Sequence, residues 1–389
     1  MGMTVAGLFA GIAGVEQGLE MSGFETELLC EIDPGAAAVL KRWLPDVPLE
    51  PDIKELKSLP SVDVVVAGFP CQDLSQAGHT NGISGKQSGL VEHVFELVRP
   101  ARGAPKWLLL ENVPFMLHLE RGEAMRYLTR QLDELGYMWA YRVVDARAFG
   151  LPQRRLRVLL LASRTEDPRT VLFTDDAMPK PEGAPDEFAC GFYWTEGNTG
   201  LGWAVNAIPT LKGGSNLGIA SPPAVRLLAD RSICTPSIED AERIQGFSPG
   251  WTEASVTDAH TRPGHRWKLV GNAVSVPMAT WIGEHLASPT DYDATLERPL
   301  ESGHRWPNAA WGHAGRAYEV SVSTWPVQAD YQDLETFIKS PKPLSFRATS
   351  GFFRRARASS LRFAEGFLDD VEQHLIRMQE ETAVATAGR

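Results

Sequence analysis

Over the first 163 positions, short apolar runs alternate with segments of helical period, and Gly, Pro or an acidic residue closes each run. Thr4–Phe9 predicts a strand, Ala10–Gly14 a Gly-rich turn, and Val15–Met21 a helix ending at Gly23. Glu27–Cys30 predicts a second strand. Asp33-Pro34 then suits a helix start, with Asp33 as cap and Pro34 in the first turn. Val62–Val66 is a β-branched run stopped by Ala67-Gly68 and followed at once by Phe-Pro-Cys-Gln. A helix over 91–98, a buried strand Trp107–Leu110, a helix 123–135 closed by Gly136 and a strand Tyr137–Asp145 come next. Gly150-Leu151-Pro152 turns into the apolar run that ends near Leu161. Strands alternating with helices predict an open α/β sheet, in which ligands bind beyond the carboxyl ends of the strands.

From about Ser163 the pattern weakens. Residues 164–222 are rich in Pro, Gly, Asp and Thr, which predicts irregular or short-strand structure. Thr235 or Ser237 caps a helix over 238–245 that Gly246 ends, and an amphipathic helix spans about Pro277–Leu286. The expected division is a catalytic domain over 1–163 completed by 268–288, a smaller domain over 164–267, and a C-terminal extension over 289–389. That extension holds Trp306, Trp311, Trp325, an Arg cluster (Arg354, Arg355, Arg357, Arg362) and a helix over 368–380, with the last nine residues frayed.

Composition changes this picture little. The chain has 389 residues, 43% hydrophobic and 22% charged, ordinary for a soluble globular protein of two or three domains. No run reaches the length of a membrane span. The start lacks the basic region of a signal peptide, and Ala6 stands where myristoylation wants Ser or Thr. Four scattered Cys indicate neither a disulfide framework nor a metal site, and suit the cytoplasm. The net charge of −11 weighs against a nucleic-acid partner for the chain as a whole, although a local basic face is what matters.

The candidate chemistry sits at strand ends. Cys71, beside Pro70 just past a buried strand, is a candidate nucleophile, although an isolated Cys is by default a small core residue. The polar, Gly-rich stretch Gln76–Leu90 after it suits a lid. Glu111 ends another apolar strand, where partial desolvation would raise its pKa and suit proton transfer; a turn-forming carboxylate is the alternative. Arg155 and Arg157, two apart on a strand, face one side and suit an anion or a base edge, or else a solvated edge. Gly7, Gly11 and Gly14 form a loose Gly set, equally a ligand turn or a plain tight turn. Glu31, 20 positions past Gly11, suits a ribose hydroxyl. On residue chemistry alone Asp52 reads as a helix cap ahead of a ligand group.

These stretches together resemble the DNA (cytosine-5) methyltransferases. The motifs, in chain order, are LFAGIAG (8–14), EIDP (31–34), DI (52–53), AGFPCQDLSQAG (67–78), ENV (111–113), QRRLRV (153–158), TPSIEDAERIQGF (235–247) and VGNAV (270–274). The resemblance implies an α/β, Rossmann-like S-adenosylmethionine-dependent methyltransferase domain with a smaller irregular or β target-recognition domain and a C-terminal extension. It implies S-adenosyl-L-methionine as cofactor, S-adenosyl-L-homocysteine as product, and no metal. Cofactor contacts would come from Phe9, Ala10, Gly11, Glu31, Ile32, Asp52, Ile53, Pro70, Leu90, Asn272 and Val274, with Asp52 taking the adenine amine. Cys71, Glu111, Arg155 and Arg157 would act on a cytosine flipped out of double-stranded DNA. Ser75, Gln76, Thr210, Leu211 and Lys212 would contact the DNA. The implied setting is a monomer in the bacterial cytoplasm, in a restriction–modification pair with a cognate endonuclease, in defence, or as an orphan. A tRNA methyltransferase of the same family, or a silent DNA-binding relative, is the alternative. Two positions depart from the pattern: Gly7 stands where the family commonly has Asp, and Ala13 where it commonly has Gly.

Overall fold

The computed structural model describes residues 2–69, 89–99, 104–196, 198, 200–213, 220–301 and 303–387. Pro70, Cys71, Ser75, Gln76 and the expected lid up to residue 88 lie outside the described residues. In chain order the strands are β1 (Thr4–Leu8), β2 (Glu25–Cys30), β3 (Leu49–Glu50), β4 (Val64–Ala67), β5 (Trp107–Asn112), β6 (Met138–Asp145), β7 (Gln153–Arg154) and β8 (Leu156–Ser163). Then come β9 (Cys190–Phe192), β10 (Ala204–Val205), β11 (Ile208–Pro209), β12 (Ala224–Arg226) and β13 (Ile233–Thr235). The last are β14 (Glu297–Pro299), β15 (Ala309–His313), β16 (Arg316–Val320) and β17 (Lys342–Pro343).

A 10-stranded sheet runs in the order β14-β16-β15-β6-β8-β5-β4-β1-β2-β3. Pairing is parallel from β3 to β5 and antiparallel from β5 onward. Period 2 assigns the strand side chains to two cores. Val65, Leu108 and Leu110 meet the helices Leu90–Val98 and Glu123–Glu134. Val64, Val66 and Leu109 meet helix α1 (Gly14–Met21) and the helix Val276–Ala287. Those two helices pack closely because a Cβ on Gly18 would run into Ala279 and Thr280. The sequence thus builds a sheet covered on both faces by period alone.

A second sheet of five short strands, β10-β9-β12-β13-β17, starts in the Pro- and Gly-rich region, which supplies β9 and β10. Its last strand comes from residues 342–343. The helices Phe346–Ala358 and Phe367–Ala387 cover this sheet through Phe352, Phe367 and Val371, packed on Phe192 and Ile233. Residues 289–389 are therefore shared between both sheets: β14–β16 extend the large one through β15 on β6. The final helix runs to Ala387, so the fraying expected from Glu381 is not seen. Glu111 and Asn112 lie within β5 and not after it. Ser237 is the N-cap of the helix Ile238–Ile244, in a reciprocal capping box with Asp240.

Trp306 marks how firmly the C-terminal part is joined. Its ring is 9% exposed and sits edge-on to Trp139 and Tyr141, and Nε1 donates to the Gly122 carbonyl at 3.1 Å. Trp306→Ala is expected to lower the unfolding free energy by about 3–5 kcal/mol, as buried aromatic truncations do. Urea unfolding followed by far-UV circular dichroism measures this.

Candidate active site

The carboxyl ends of β1, β2, β4 and β5 share one edge, and a cavity of about 430 Å³ opens there. The β1–α1 turn forms one wall. In it Phe9, Gly11 and Ala13 all have positive φ (57°, 57° and 65°). Only Gly takes that conformation without strain, so the Ala13 departure costs on the order of 1 kcal/mol. Gly14 opens α1 where a Cβ would strike the Val274 carbonyl, bringing the turn against the 270–274 segment.

Glu31 projects from the end of β2. Its Oε2 accepts from the Gly11 N–H at 2.8 Å and its Oε1 from the Asp33 N–H at 2.7 Å. Both oxygens are thereby aimed while each keeps a lone pair for a hydroxyl. Asp33 caps helix α2 (Pro34–Trp43), accepting from the Gly35 and Ala36 N–H groups. It also pairs with His265 at 2.8 Å and Lys268 at 2.9 Å, and these partners hold its pKa below the usual carboxylate value despite half-burial. Asp52 lines the cavity, and its Oδ1 accepts from the Lys54 N–H at 3.0 Å at the start of a turn, not of the expected helix. Phe9, Ala10, Gly11, Ile32, Ile53, Leu90, Asn272 and Val274 line the same cavity. Ile32 is 70% exposed at its mouth, an apolar plate in reach of a planar ligand.

Glu111 also lines the cavity. Arg157 Nε lies 2.8 Å from Glu111 Oε1 in a pair almost free of water. Burial raises the Glu111 pKa, and the charges of Arg157 and Arg155 oppose that rise. Neighbouring Asn112 donates to the Phe69 carbonyl at 3.0 Å, tying β5 to the chain leaving β4. Arg155 is fully buried and does not line the cavity. Its Nη2 donates to the Gly271 and Ala273 carbonyls at 3.1 and 2.6 Å, so it fastens the strand to the 270–274 segment. The expected side-by-side Arg pair thus divides into one group at Glu111 and one behind it, because β7 ends at Arg154 and β8 starts at Leu156.

Thr210 Oγ1 donates to the Arg154 carbonyl at 2.7 Å. Leu211 is 2% exposed, with its N–H on Gln153, so its side chain is a packing group. Lys212 is half-exposed, ion-paired with Glu196, and its Nζ lies 4.0 Å from the Tyr193 ring centroid. Sequence reasoning missed Glu16 and Lys268, which also line the cavity. The signal for Glu16 was available: an acidic residue between Val15 and Leu19 on the buried side of a short helix.

A family model described as C-5 cytosine-specific DNA methylase matches residues 3–198. The chain belongs to this family. It is 50% identical over 381 residues to the Type II methyltransferase M2.BsuMI of Bacillus subtilis (strain 168), covering 95% of this chain and 98% of that protein. The Type II methyltransferase M.BanI of Aneurinibacillus aneurinilyticus is 35% identical over 171 residues, 42% of this chain and 39% of that protein. The crystal structure of S. pombe Dnmt2 methyltransferase superposes with a TM-score of 0.55 at 14% identity, covering 73% of this chain and 98% of that one, and so shares the fold. The methylase family uses S-adenosylmethionine, and the cavity fits that group: an aromatic and an Ile for a flat base, a fixed carboxylate for a diol, and an acidic lining for a cation. Among the described residues no His, Cys, Asp or Glu cluster could hold a metal, and no helix is long and apolar enough to cross a membrane.

Arg157→Ala removes the nearest positive charge from Glu111 while burial remains. The Glu111 pKa is then expected to rise further, a change that carbon-detected NMR of the labelled carboxyl would follow across a pH titration.

Proposed function

We propose that this methylase transfers a methyl group to carbon 5 of a cytosine extruded from duplex DNA, with Cys71 as nucleophile and Glu111 acting on the ring. The observation that carries this reading is the buried, raised-pKa Glu111, paired with Arg157, on the wall of the same cavity as Phe9, Glu31 and Asp52. Of the chain's four thiols, Cys30, Cys190 and Cys234 are buried, and burial pushes their pKa values up to about 12, 11 and 12. Thiols of that kind are inert, which leaves Cys71.

The chemistry follows from the weak nucleophilicity of cytosine carbon 5. Addition of the Cys71 thiolate to carbon 6 forms a carbon–sulfur bond and makes carbon 5 an enamine carbon. Burial raises the Glu111 pKa, so the carboxylate takes up a proton more readily than an exposed one and, once protonated, can donate to ring nitrogen 3 while its other oxygen accepts from the exocyclic amine. Arg157 holds Glu111 in place and suits the ring carbonyl. When bound, S-adenosylmethionine supplies an electrophilic methyl group on a sulfonium, leaving S-adenosylhomocysteine. Loss of the carbon-5 proton and then of the thiolate restores the ring. A stacked base cannot meet this geometry, so the target must leave the helix.

Ser75, Gln76, Thr210 and Lys212 are the proposed DNA contacts near the flipped base, with Leu211 supporting them from the core. Further grip comes from Arg347, Arg354, Arg357 and Arg362, exposed on or just after the helix Phe346–Ala358. Arg355 of that helix donates to the Trp194 and Glu196 carbonyls, beside Lys212. A modification role opposite a cognate restriction endonuclease is supported by the kinship with Type II methyltransferases; the proposed form is a monomer acting in a bacterial cytoplasm.

Labelled S-adenosylmethionine offered with duplex DNA or tRNA is expected to label DNA alone, and labelling of tRNA alone would overturn the reading. Cys71→Ser should abolish transfer, and Glu111→Gln should slow it by about 10²–10⁴-fold. Bisulfite sequencing of DNA from expressing cells gives the site. Arg354→Ala with Arg357→Ala is expected to weaken DNA binding and flatten its salt dependence, measured by fluorescence anisotropy at several salt concentrations. These substitutions are preferable to deleting 289–389, which would uncover β6 and the second sheet.

A further inference from the structure

Glu16 is the most unusual group in the cavity. It sits on α1, is 2% exposed, and lines the cavity near Glu31. Among the described residues it pairs with no basic side chain, and its carboxyl finds only its own backbone N–H. An uncompensated buried carboxylate is costly, so the site must offer something in return. Gly7 faces it from β1: a Cβ built there would overlap Glu16 Oε1. Gly7 is also the position where the resembled family commonly carries Asp. Gly7 and Glu16 are therefore one feature, since the space a side chain would occupy from β1 is filled by a carboxylate reaching over from α1.

We propose that Glu16 is a cofactor-positioning residue that supplies, from α1, the carboxylate which receives a positive centre of S-adenosylmethionine. This rests on reading the cavity as the S-adenosylmethionine site. That ligand carries two positive centres, the α-ammonium and the sulfonium, and among the described residues the cavity lining is acidic, with Glu16, Glu31, Asp33, Asp52 and Glu111 against Lys268. Desolvation, aided by the Glu31 charge, raises the Glu16 pKa to about 7. Below that pH Glu16 keeps its proton and offers no charge. A cation in the cavity favours the carboxylate, so binding expels the proton and affinity rises with pH until about 7.

The other titratable groups on α1 and the elements packed on it, among the described residues, are these. α1 itself carries Glu20, β1 has none, β2 carries Glu25, Glu27 and Cys30 with Glu31 beyond it, and the helix Val276–Ala287 has Glu284 and His285, the latter bonded to Asp175. His265, on Asp33, and Glu111 lie farther round the cavity lining. Glu16→Gln keeps all of these, so the difference between the two proteins isolates Glu16.

Isothermal titration of the full-length protein with S-adenosylmethionine and with S-adenosylhomocysteine, at pH 5.5–7.5 and in buffers of different ionisation enthalpy, tests this. The wild type is expected to release protons near pH 6.5. Glu16→Gln should bind about tenfold more weakly at pH 7.5 and lose that part of the release. Loss with both ligands identifies the α-ammonium, and loss with S-adenosylmethionine alone the sulfonium; either supports the proposal. Gly7→Asp combined with Glu16→Ala returns a carboxylate from β1 and should restore affinity, which a purely structural role for Glu16 would not allow. Equal affinity and equal proton release in wild type and Glu16→Gln would overturn the proposal. No binding of either ligand by the wild type would instead overturn the reading of the cavity.

Discussion

A carboxylate and a guanidinium held together almost without water, Glu111 and Arg157, impose the main constraint on this protein. Neither charge could be buried there alone. Their meeting depends on the antiparallel register of β5 with β8, which sets Glu111 opposite Leu159 and Asn112 opposite Val158. A slip of one residue would turn Glu111 to the other face of the sheet. The register is in turn held from both sides. Arg155, just before β8, is clamped to the Gly271 and Ala273 carbonyls, and Asn112 holds the Phe69 carbonyl. The chemistry is thus placed by the sheet, and the sheet by buried polar contacts from distant parts of the chain.

The same logic holds the two-stranded pair of β7 and β11 against the 270–274 segment. Gln153 receives the Leu211 N–H and donates to Gln245 Oε1, while Gln245 Nε2 donates to the Val270 carbonyl and Ser275 donates to Gln245 Oε1. These amides are buried and share one network, so the Thr210–Lys212 segment is fixed relative to the 270–274 segment at the cavity. A contact made to DNA at Lys212 would be referred directly to the floor of the site.

Much of the catalytic half was legible in the sequence because local rules act there without competition. Gly and Pro ended the strands, Asp33-Pro34 marked a helix start, and period 2 divided each strand between two faces. Residues at the carboxyl ends of parallel strands must share an edge, so Glu31 and Glu111 could be brought together before any coordinates. The C-terminal hundred residues were not legible in this way. Their strands are two to five residues long, and the pairings that join them to the rest of the chain, β15 on β6 and β17 on β13, span more than a hundred positions.

By itself, then, the sequence determined the alternating α/β order, the strand-end positions of the candidate groups, and the family, since each is written in spacing and residue type over short stretches. Only the tertiary structure decided that Arg155 is a clamp behind the site, that Leu211 is core, that Asp52 both caps a turn and lines the cavity, and that Glu16 stands where Gly7 leaves room. Those outcomes depend on which buried polar atom finds which partner across long sequence separations. Burial and hydrogen-bond satisfaction are properties of the packed molecule, and no local pattern specifies them.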